Sequence, residues 1–172
     1  MESLSDDDFA QLERDLRGIW INREESVYVK PDVDFFVNLA STRGDQADKE
    51  FFTGLKLTYH DSHEPAYLEM VTDVSACTLF GRMDLVNIYR VWSDFRSRYP
   101  DRYRGGAAEQ YEQVRFELTE GTCACGDAAS VRRELDEFVR TFPTSPDRPT
   151  IEQRLRALQV GRSNIRFDCR PG

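Results

Sequence analysis

The sequence predicts an α+β fold in which an N-terminal helix precedes an antiparallel β-meander of about five to seven strands, packed against two to three helices of the C-terminal half. Apolar and polar residues alternate through much of residues 19–80, which is the period of strands. Short polar stretches separate these runs and favour antiparallel connections. Helical spacing returns from residue 84 onward. Because no repeat or long linker interrupts this order, we expect a single domain over residues 1–172.

The first element is predicted to be a helix over residues 6–17. Ser5 is a favourable N-cap residue, and the aspartates at residues 6–8 complement the positive end of the helix dipole. Apolar residues then recur at helical spacing, and Gly18 is typical of the position where a helix ends.

The meander is predicted from runs in which apolar side chains occupy every second position. Polar turns separate these runs, as at Arg23-Glu24-Glu25. The meander strands are predicted at residues 19–21, 27–29, 33–39, 55–59, 66–72 and 74–80. Two further alternating segments, residues 111–118 and 165–169, are predicted to be strands as well.

Three helices are predicted in the second half from apolar stripes at helical spacing. They cover residues 84–99, residues 131–142 and a last segment that runs from Thr150 to a stop at Gly161. Asp84 is expected to cap the first of them, and Thr150 with Gln153 forms a capping box for the last. Prolines directly follow the first two helices, as expected at helix ends.

The charge distribution argues against nucleic acid as a partner. The chain has a net charge of -8, and residues 1–81 hold 17 acidic and 7 basic residues, whereas residues 82–172 hold 14 and 16. Non-specific DNA binding needs many cations facing phosphates. The negative field of the first half would instead attract a basic partner.

The composition favours a cytoplasmic protein without a membrane partner. No apolar run approaches the roughly 18 residues of a membrane span, and the first residues are acidic, unlike those of a signal peptide. Of the 23 basic residues, 20 are arginine, which is typical of a GC-rich, bacterial coding sequence.

The four cysteines are expected to be reduced, since thiols are the usual form in the cytoplasm. Cys123 and Cys125 are too close in sequence for an easy mutual disulfide. Cys77 and Cys169 lie in alternating apolar stretches and are interpreted as small buried residues.

A zinc site is one interpretation of the polar residues. His60 and His63 have a His-x-x-His spacing, and Cys123 with Cys125 would complete four ligands. The alternative is a polar hairpin turn that ends at Pro65, because zinc requires the two loops to meet in space.

A cysteine nucleophile is a second interpretation. Cys123 or Cys125 precedes a helix that starts near Asp127, and a helix N-terminus stabilises a thiolate. Against it, neighbouring carboxylates raise the pKa of a thiol, and no nearby residue is a convincing base. A tight loop of small residues explains the segment equally well.

The segment of residues 82–104 interleaves six arginines with aromatic residues. This pattern occurs in proteins that bind single-stranded nucleic acid by stacking and phosphate contacts. The aromatics also fall on the apolar stripe of a predicted helix, which favours a core role for them and a solvated or partner-facing edge for the arginines.

We expect a small binding protein that acts through its charged surface, either an antagonist of a basic protein, in the manner of a toxin-neutralising immunity protein, or a chaperone. Carboxylates on or beside predicted strands would accelerate association with a cationic surface. These predicted partner-binding residues are Asp32, Asp34, Glu50, Glu69 and Asp73.

The alternative is a small enzyme or ligand- or metal-binding domain with a pocket between the sheet and the helix of residues 84–99. It would use the turn at His60 and His63 or the loop at Cys123 and Cys125. A subunit of a larger assembly is a third option.

Overall fold

A computed structural model describes residues 5–23, 27–60, 64–72 and 75–169, and these residues are mostly helical. They form seven helices and two separate two-stranded antiparallel sheets. The predicted meander of five to seven strands is therefore wrong. The chain divides into two compact units, an N-terminal unit (Met1–Lys56) and a C-terminal unit (Leu57–Gly172).

The N-terminal unit begins with the predicted helix. Its elements are α1 (Asp6–Asp15), β1 (Ile19–Arg23), β2 (Val27–Pro31), α2 (Val33–Arg43) and α3 (Gln46–Tyr59), with the division between the units falling inside α3. Ser5 caps α1. Its hydroxyl accepts a hydrogen bond from the backbone amide of Asp8 at 3.2 Å, and the Asp8 carboxylate accepts one from the backbone amide of Ser5 at 2.9 Å. The strands β1 and β2 form the predicted hairpin, with Ile21 opposite Val29.

Two predicted strands of this unit are helices. Residues 33–39 belong to α2 and residues 55–59 to α3. The Asp32 carboxylate accepts the amide of Phe35 at 2.9 Å and so starts α2. The rings of Phe36 and Phe52 stack at 5.2 Å, which packs the two helices together.

The described residues of the C-terminal unit form one pair of antiparallel strands and four long helices after the end of α3. They are β3 (Leu68–Thr72), β4 (Ser75–Thr78), α4 (Asp84–Arg98), α5 (Arg104–Thr119), α6 (Ala128–Thr141) and α7 (Arg148–Gln159). The predicted helices at residues 84–99 and 131–142 are confirmed, and of the strand predicted over residues 66–72 the part Leu68–Thr72 is confirmed. Trp92 and Phe138 are fully buried in the core, and the Trp92 indole donates to the Thr58 hydroxyl at 3.0 Å.

The predicted strand at residues 111–118 is the second half of α5. Val114 and Leu118, four residues apart, are fully buried, whereas Phe116 between them is 50% exposed. This is the periodicity of a helix rather than of a strand. The predicted closing strand at residues 165–169 is reduced to a single bridge, which pairs Arg166 with Cys123.

Buried charged residues from neighbouring helices stabilise two helix ends. The fully buried carboxylate of Glu134 in α6 accepts hydrogen bonds from the backbone amides of Gly81, Met83 and Val86 at 2.8, 2.8 and 3.1 Å. Glu134 therefore caps α4, and the prediction that Asp84 does so is wrong. Burial raises the pKa of Glu134, and these three hydrogen bonds oppose the rise.

The C-terminus of α5 is held in the same way by Arg154 of α7. One guanidinium nitrogen, Nη1, donates to the carbonyl oxygen of Leu118 at 2.8 Å, and Nη2 donates to that of Gly121. Burial lowers the pKa of Arg154 to about 10, so it remains a cation at neutral pH.

All four cysteines form disulfides, contrary to the predicted thiols. Cys77 pairs with Cys125, and Cys123 pairs with Cys169, over Cα–Cα distances of 5.1 and 5.9 Å. Three segments meet here, because the Thr78 amide donates to the Cys123 carbonyl oxygen at 2.9 Å, and the Ala124 amide donates to that of Arg166, also at 2.9 Å. The disulfides therefore connect β4, the loop before α6 and the C-terminal segment.

Candidate functional site

A concave surface of the C-terminal unit combines carboxylates with aromatic rings. Its cavity volume is about 600 Å³, and we call it the acidic groove. It is lined by four glutamates and three aromatic residues: Glu64, Glu109, Glu112 and Glu117, with Tyr59, Tyr67 and Phe116. No lysine or arginine is among the described residues that line it.

Helix α5 forms one wall of the acidic groove. Glu109, Glu112, Gln113 and Phe116 stand at positions i, i+3, i+4 and i+7, so their side chains share one helix face. The segment that leads into β3 supplies the opposite residues, including Glu64 and Tyr67.

The aromatic residues differ in what they offer a ligand. Tyr67 is buried and forms part of the core beneath the groove, whereas half of Phe116 is exposed. Burial raises the pKa of Tyr59 and of Tyr67, so both phenols are neutral at physiological pH. The exposed ring of Phe116 thus adds apolar contact area beside the carboxylates.

Glu117 is the most deeply placed carboxylate of the groove. The Thr78 hydroxyl donates to its Oε2 atom at 2.5 Å. Burial raises the pKa of Glu117 above its ordinary value of 4.5, and the hydrogen bond from Thr78 and the positive charge of Arg154 act in the opposite direction.

The other carboxylates of the groove are nearer to solvent. Glu112 forms an ion pair with Arg115 at 3.3 Å, and Glu109 accepts the side-chain amide of Gln113 at 3.5 Å. Glu109 has no ion pair with any residue that the structure describes. The groove therefore keeps an excess of negative charge on a surface that also offers an aromatic ring.

The five partner-binding residues predicted from the sequence lie elsewhere. Asp32 caps α2, Asp34 forms an ion pair with Lys56, and Glu50 accepts the side-chain amide of Gln46 at 2.9 Å. These three belong to the N-terminal unit. Glu69 lies on β3 opposite Cys77, and Asp73 falls outside the described residues. Their role in binding a partner stays a prediction.

The residues of the predicted zinc site have other surroundings. His60 follows the last residue of α3 and is exposed, and His63 lies outside the described residues. The sulfurs of Cys123 and Cys125 are bonded to those of Cys169 and Cys77, so they are not thiolate ligands in this form. Within the described ranges, no three His, Cys, Asp or Glu side chains cluster as metal ligands.

The same disulfides bear on the predicted cysteine nucleophile. Cys123 or Cys125 would have to be released by reduction before a thiolate formed. The carboxylate of Asp127 accepts the amide of Ser130 at 2.8 Å and caps α6, as expected of a helix that starts there.

Sequence reasoning missed the acidic groove because it placed residues 111–118 in a strand. The signal was present in the spacing of Glu109, Glu112, Gln113 and Phe116, which share a face only in a helix. The contributions of Tyr59, Glu64 and Tyr67 carried no local signal, since they approach α5 only through the tertiary fold.

Comparison with known proteins returns nothing for this chain. No protein-family model matches it, and no match is found among curated proteins or among solved structures. Among the described residues, none of the helices is both long and apolar enough to cross a membrane.

Proposed function

We propose that this protein binds a basic segment of a partner protein in the acidic groove and acts by binding rather than by catalysis. The observation that carries the proposal is the lining of the groove, whose described residues include four glutamates and three aromatic residues but neither lysine nor arginine. An antagonist of the toxin-neutralising type and a chaperone are the two forms of this role that the charge balance favours.

The chemistry of the groove suits lysine and arginine side chains. Their methylene stems pack on an aromatic ring such as Phe116 while the cationic head remains near carboxylates. Glu109 and Glu112 would meet an arriving cation first because they are exposed, and Glu117 would accept a head group that reaches deeper.

We expect Glu109→Gln to weaken binding of a fluorescein-labelled peptide of alternating Arg and Lys residues by about threefold at low salt. The double variant Glu109→Gln/Glu112→Gln should weaken it further and reduce the salt dependence, because fewer charges remain to be screened. Fluorescence anisotropy over a salt series measures both quantities.

The matched control is Asp136→Asn, which removes one negative charge from the exposed side of α6, outside the groove. This variant should bind the peptide as the wild type does, and an uncharged peptide of equal length should not bind either protein. Equal weakening by Asp136→Asn, or binding that salt leaves unchanged, would contradict the proposal.

The affinity for the basic peptide should also rise with pH above about 4.5. The raised pKa of Glu117 means that this carboxyl is neutral at a pH where exposed glutamates are already charged. As the pH increases through its pKa, the groove gains one negative charge and binds a cation more tightly. The variant Glu117→Gln should lose this step of the profile while circular dichroism shows an unchanged fold. A wild-type profile that is flat above pH 4.5 contradicts this assignment.

The location of the protein is part of the proposal. The cytoplasmic location expected from the sequence goes with reduced cysteines, whereas the two disulfides fit an oxidising compartment. Thiol titration of the denatured protein, alkylated as it is isolated from its host, distinguishes them: free thiols support the cytoplasm, and their absence supports an oxidising compartment.

A further inference from the structure

A second concave surface of the C-terminal unit has the opposite charge. It has a volume of about 740 Å³ and lies among the C-terminal half of α4, the start of α5 and the loop that follows α6. We call it the arginine groove. The lining residues that matter to its chemistry are Arg96, Arg102 and Arg104, with Tyr99, Tyr111 and Ser145.

The charge of this groove is unbalanced locally. Its described lining includes three arginines and neither an aspartate nor a glutamate, although the chain as a whole has a net charge of -8. Arg96 and Arg104 make no ion pair within the part of the chain that the structure describes. Their positive charge is therefore not neutralised by a neighbouring carboxylate.

The position of Arg96 is set by an aromatic neighbour. Its guanidinium lies 4.2 Å from the centre of the Tyr111 ring, which is a close cation–π contact. Stacking of this kind uses the face of the guanidinium and leaves its N–H groups free to bond in its plane. Arg96 is thus held at the groove with donors still available to a ligand.

A hydrogen-bonded network holds the aromatic wall of the groove in place. The hydroxyls of Tyr89 and Tyr111 donate to Oδ2 of the buried Asp147 at 2.9 and 3.2 Å. Arg115 donates to Oδ1 of the same carboxylate at 2.8 Å and balances its charge. This network also explains why Asp147 precedes α7 without capping it. Because α7 starts at Arg148, the predicted capping box at Thr150, three residues after Asp147, is wrong.

The start of α5 adds a smaller contribution of the same sign. Arg104, Ala107 and Ala108 line the groove from the first turns of this 16-residue helix, whose first turn has no acidic side chain. The positive end of the helix dipole therefore adds to the charge of the guanidinium groups.

We infer that the arginine groove binds a small organic molecule that carries a phosphate monoester on an aromatic or other apolar body. Guanidinium groups such as those of Arg96 and Arg104 bind phosphate oxygens through paired N–H donors. The volume falls in the range of small-ligand pockets, and the Tyr99 and Tyr111 rings offer contact to the body of the ligand. This site is separate from the acidic groove and does not depend on the function proposed for it.

A nucleic acid is a less suitable occupant than a small molecule. A polymer would extend beyond the cavity over a protein whose net charge is -8, and this charge repels a polyanion. A single phosphate monoester experiences mainly the local charge of the groove.

Isothermal titration with phenyl phosphate, adenosine monophosphate, inorganic phosphate and adenosine tests the inference. We expect at least one of the two organic phosphates to bind about tenfold more tightly than inorganic phosphate, and adenosine not to bind. Arg96→Gln and Arg104→Gln should each weaken that binding about tenfold. The matched control, Arg132→Gln, changes an exposed arginine of α6 outside both grooves and should have no effect.

Four results would overturn the inference: no binding of either organic phosphate at about 10 mM, equal binding of inorganic phosphate, binding that both groove variants leave unchanged, or tighter binding of a single-stranded oligonucleotide. Thermal melts of the variants separate loss of a contact from loss of the fold. Glu109→Gln should leave phosphate binding unchanged, so failure at one groove is distinguishable from failure at the other.

Discussion

Removing the Cys77–Cys125 disulfide with the double variant Cys77→Ser/Cys125→Ser should lower the free energy of unfolding by roughly 4 kcal/mol. The bond joins β4 to the loop before α6 across a sequence separation of 48 residues. Closing so long a loop restricts the unfolded chain, and that restriction disappears in the variant. Replacing both cysteines avoids an odd thiol beside Cys123. Guanidinium unfolding followed by circular dichroism measures the change.

The second disulfide offers a comparison of nearly equal loop length. Cys123→Ser/Cys169→Ser removes a bond across 46 residues and should lower the free energy of unfolding by a similar amount. A reducing agent should destabilise the wild type by at least as much as either variant, since it breaks both bonds. If the reductant leaves the unfolding midpoint of the wild type unchanged, the paired cysteines do not stabilise the protein and the prediction is wrong.

Glu134→Ala is expected to destabilise the protein by about 3–5 kcal/mol. The change leaves the partly buried amides of Gly81 and Met83 and the buried amide of Val86 without their acceptor. It also removes the negative charge at the start of α4, which α6 supplies across the core. Equilibrium unfolding gives the free energy, and hydrogen exchange at these three amides reports the loss of the cap directly.

Two variants on the same helix control for this result. Glu134→Gln keeps the size of the side chain and one acceptor oxygen, so it should cost less than the alanine variant. Asp136→Ala changes an exposed residue of α6 and should stay within about 0.5 kcal/mol of the wild type. A cost for Glu134→Ala no greater than that for Asp136→Ala would show that the cap does not stabilise α4.

The wrong strand predictions share one cause, which is that a short apolar run satisfies two periods at once. In residues 33–39, alternating positions such as Val33 and Val37 are also four apart, as on one face of a helix. The stacked rings of Phe36 and Phe52 belong to the helical arrangement, and neither partner reveals the other in sequence. Packing against a distant segment thus decided between the two structures.

The two grooves were likewise predictable from the sequence only in part. Helix α5 presents Glu109 and Glu112 on one face and Arg104 and Tyr111 on another, and both faces are readable once the segment is known to be helical. Glu64 completes one groove and Ser145 the other. Their positions depend on the paths that the loops take back to α5 in the folded chain. The charge of each wall was therefore predictable, whereas the cavities were not.

The sequence by itself determined the elements whose signals lie within a few residues: α1 with its Ser5 cap, the hairpin of β1 and β2, and the amphipathic helices α4 and α6. Capping hydrogen bonds, pairing of strands that are adjacent in sequence and a continuous apolar stripe are local, so neighbouring residues are enough to specify them. Only the tertiary structure decided the pairing of the cysteines, the capping of α4 by Glu134 and the positions of the two grooves. Each of these brings together residues far apart in the chain, and the free energy that selects them arises only when the core forms.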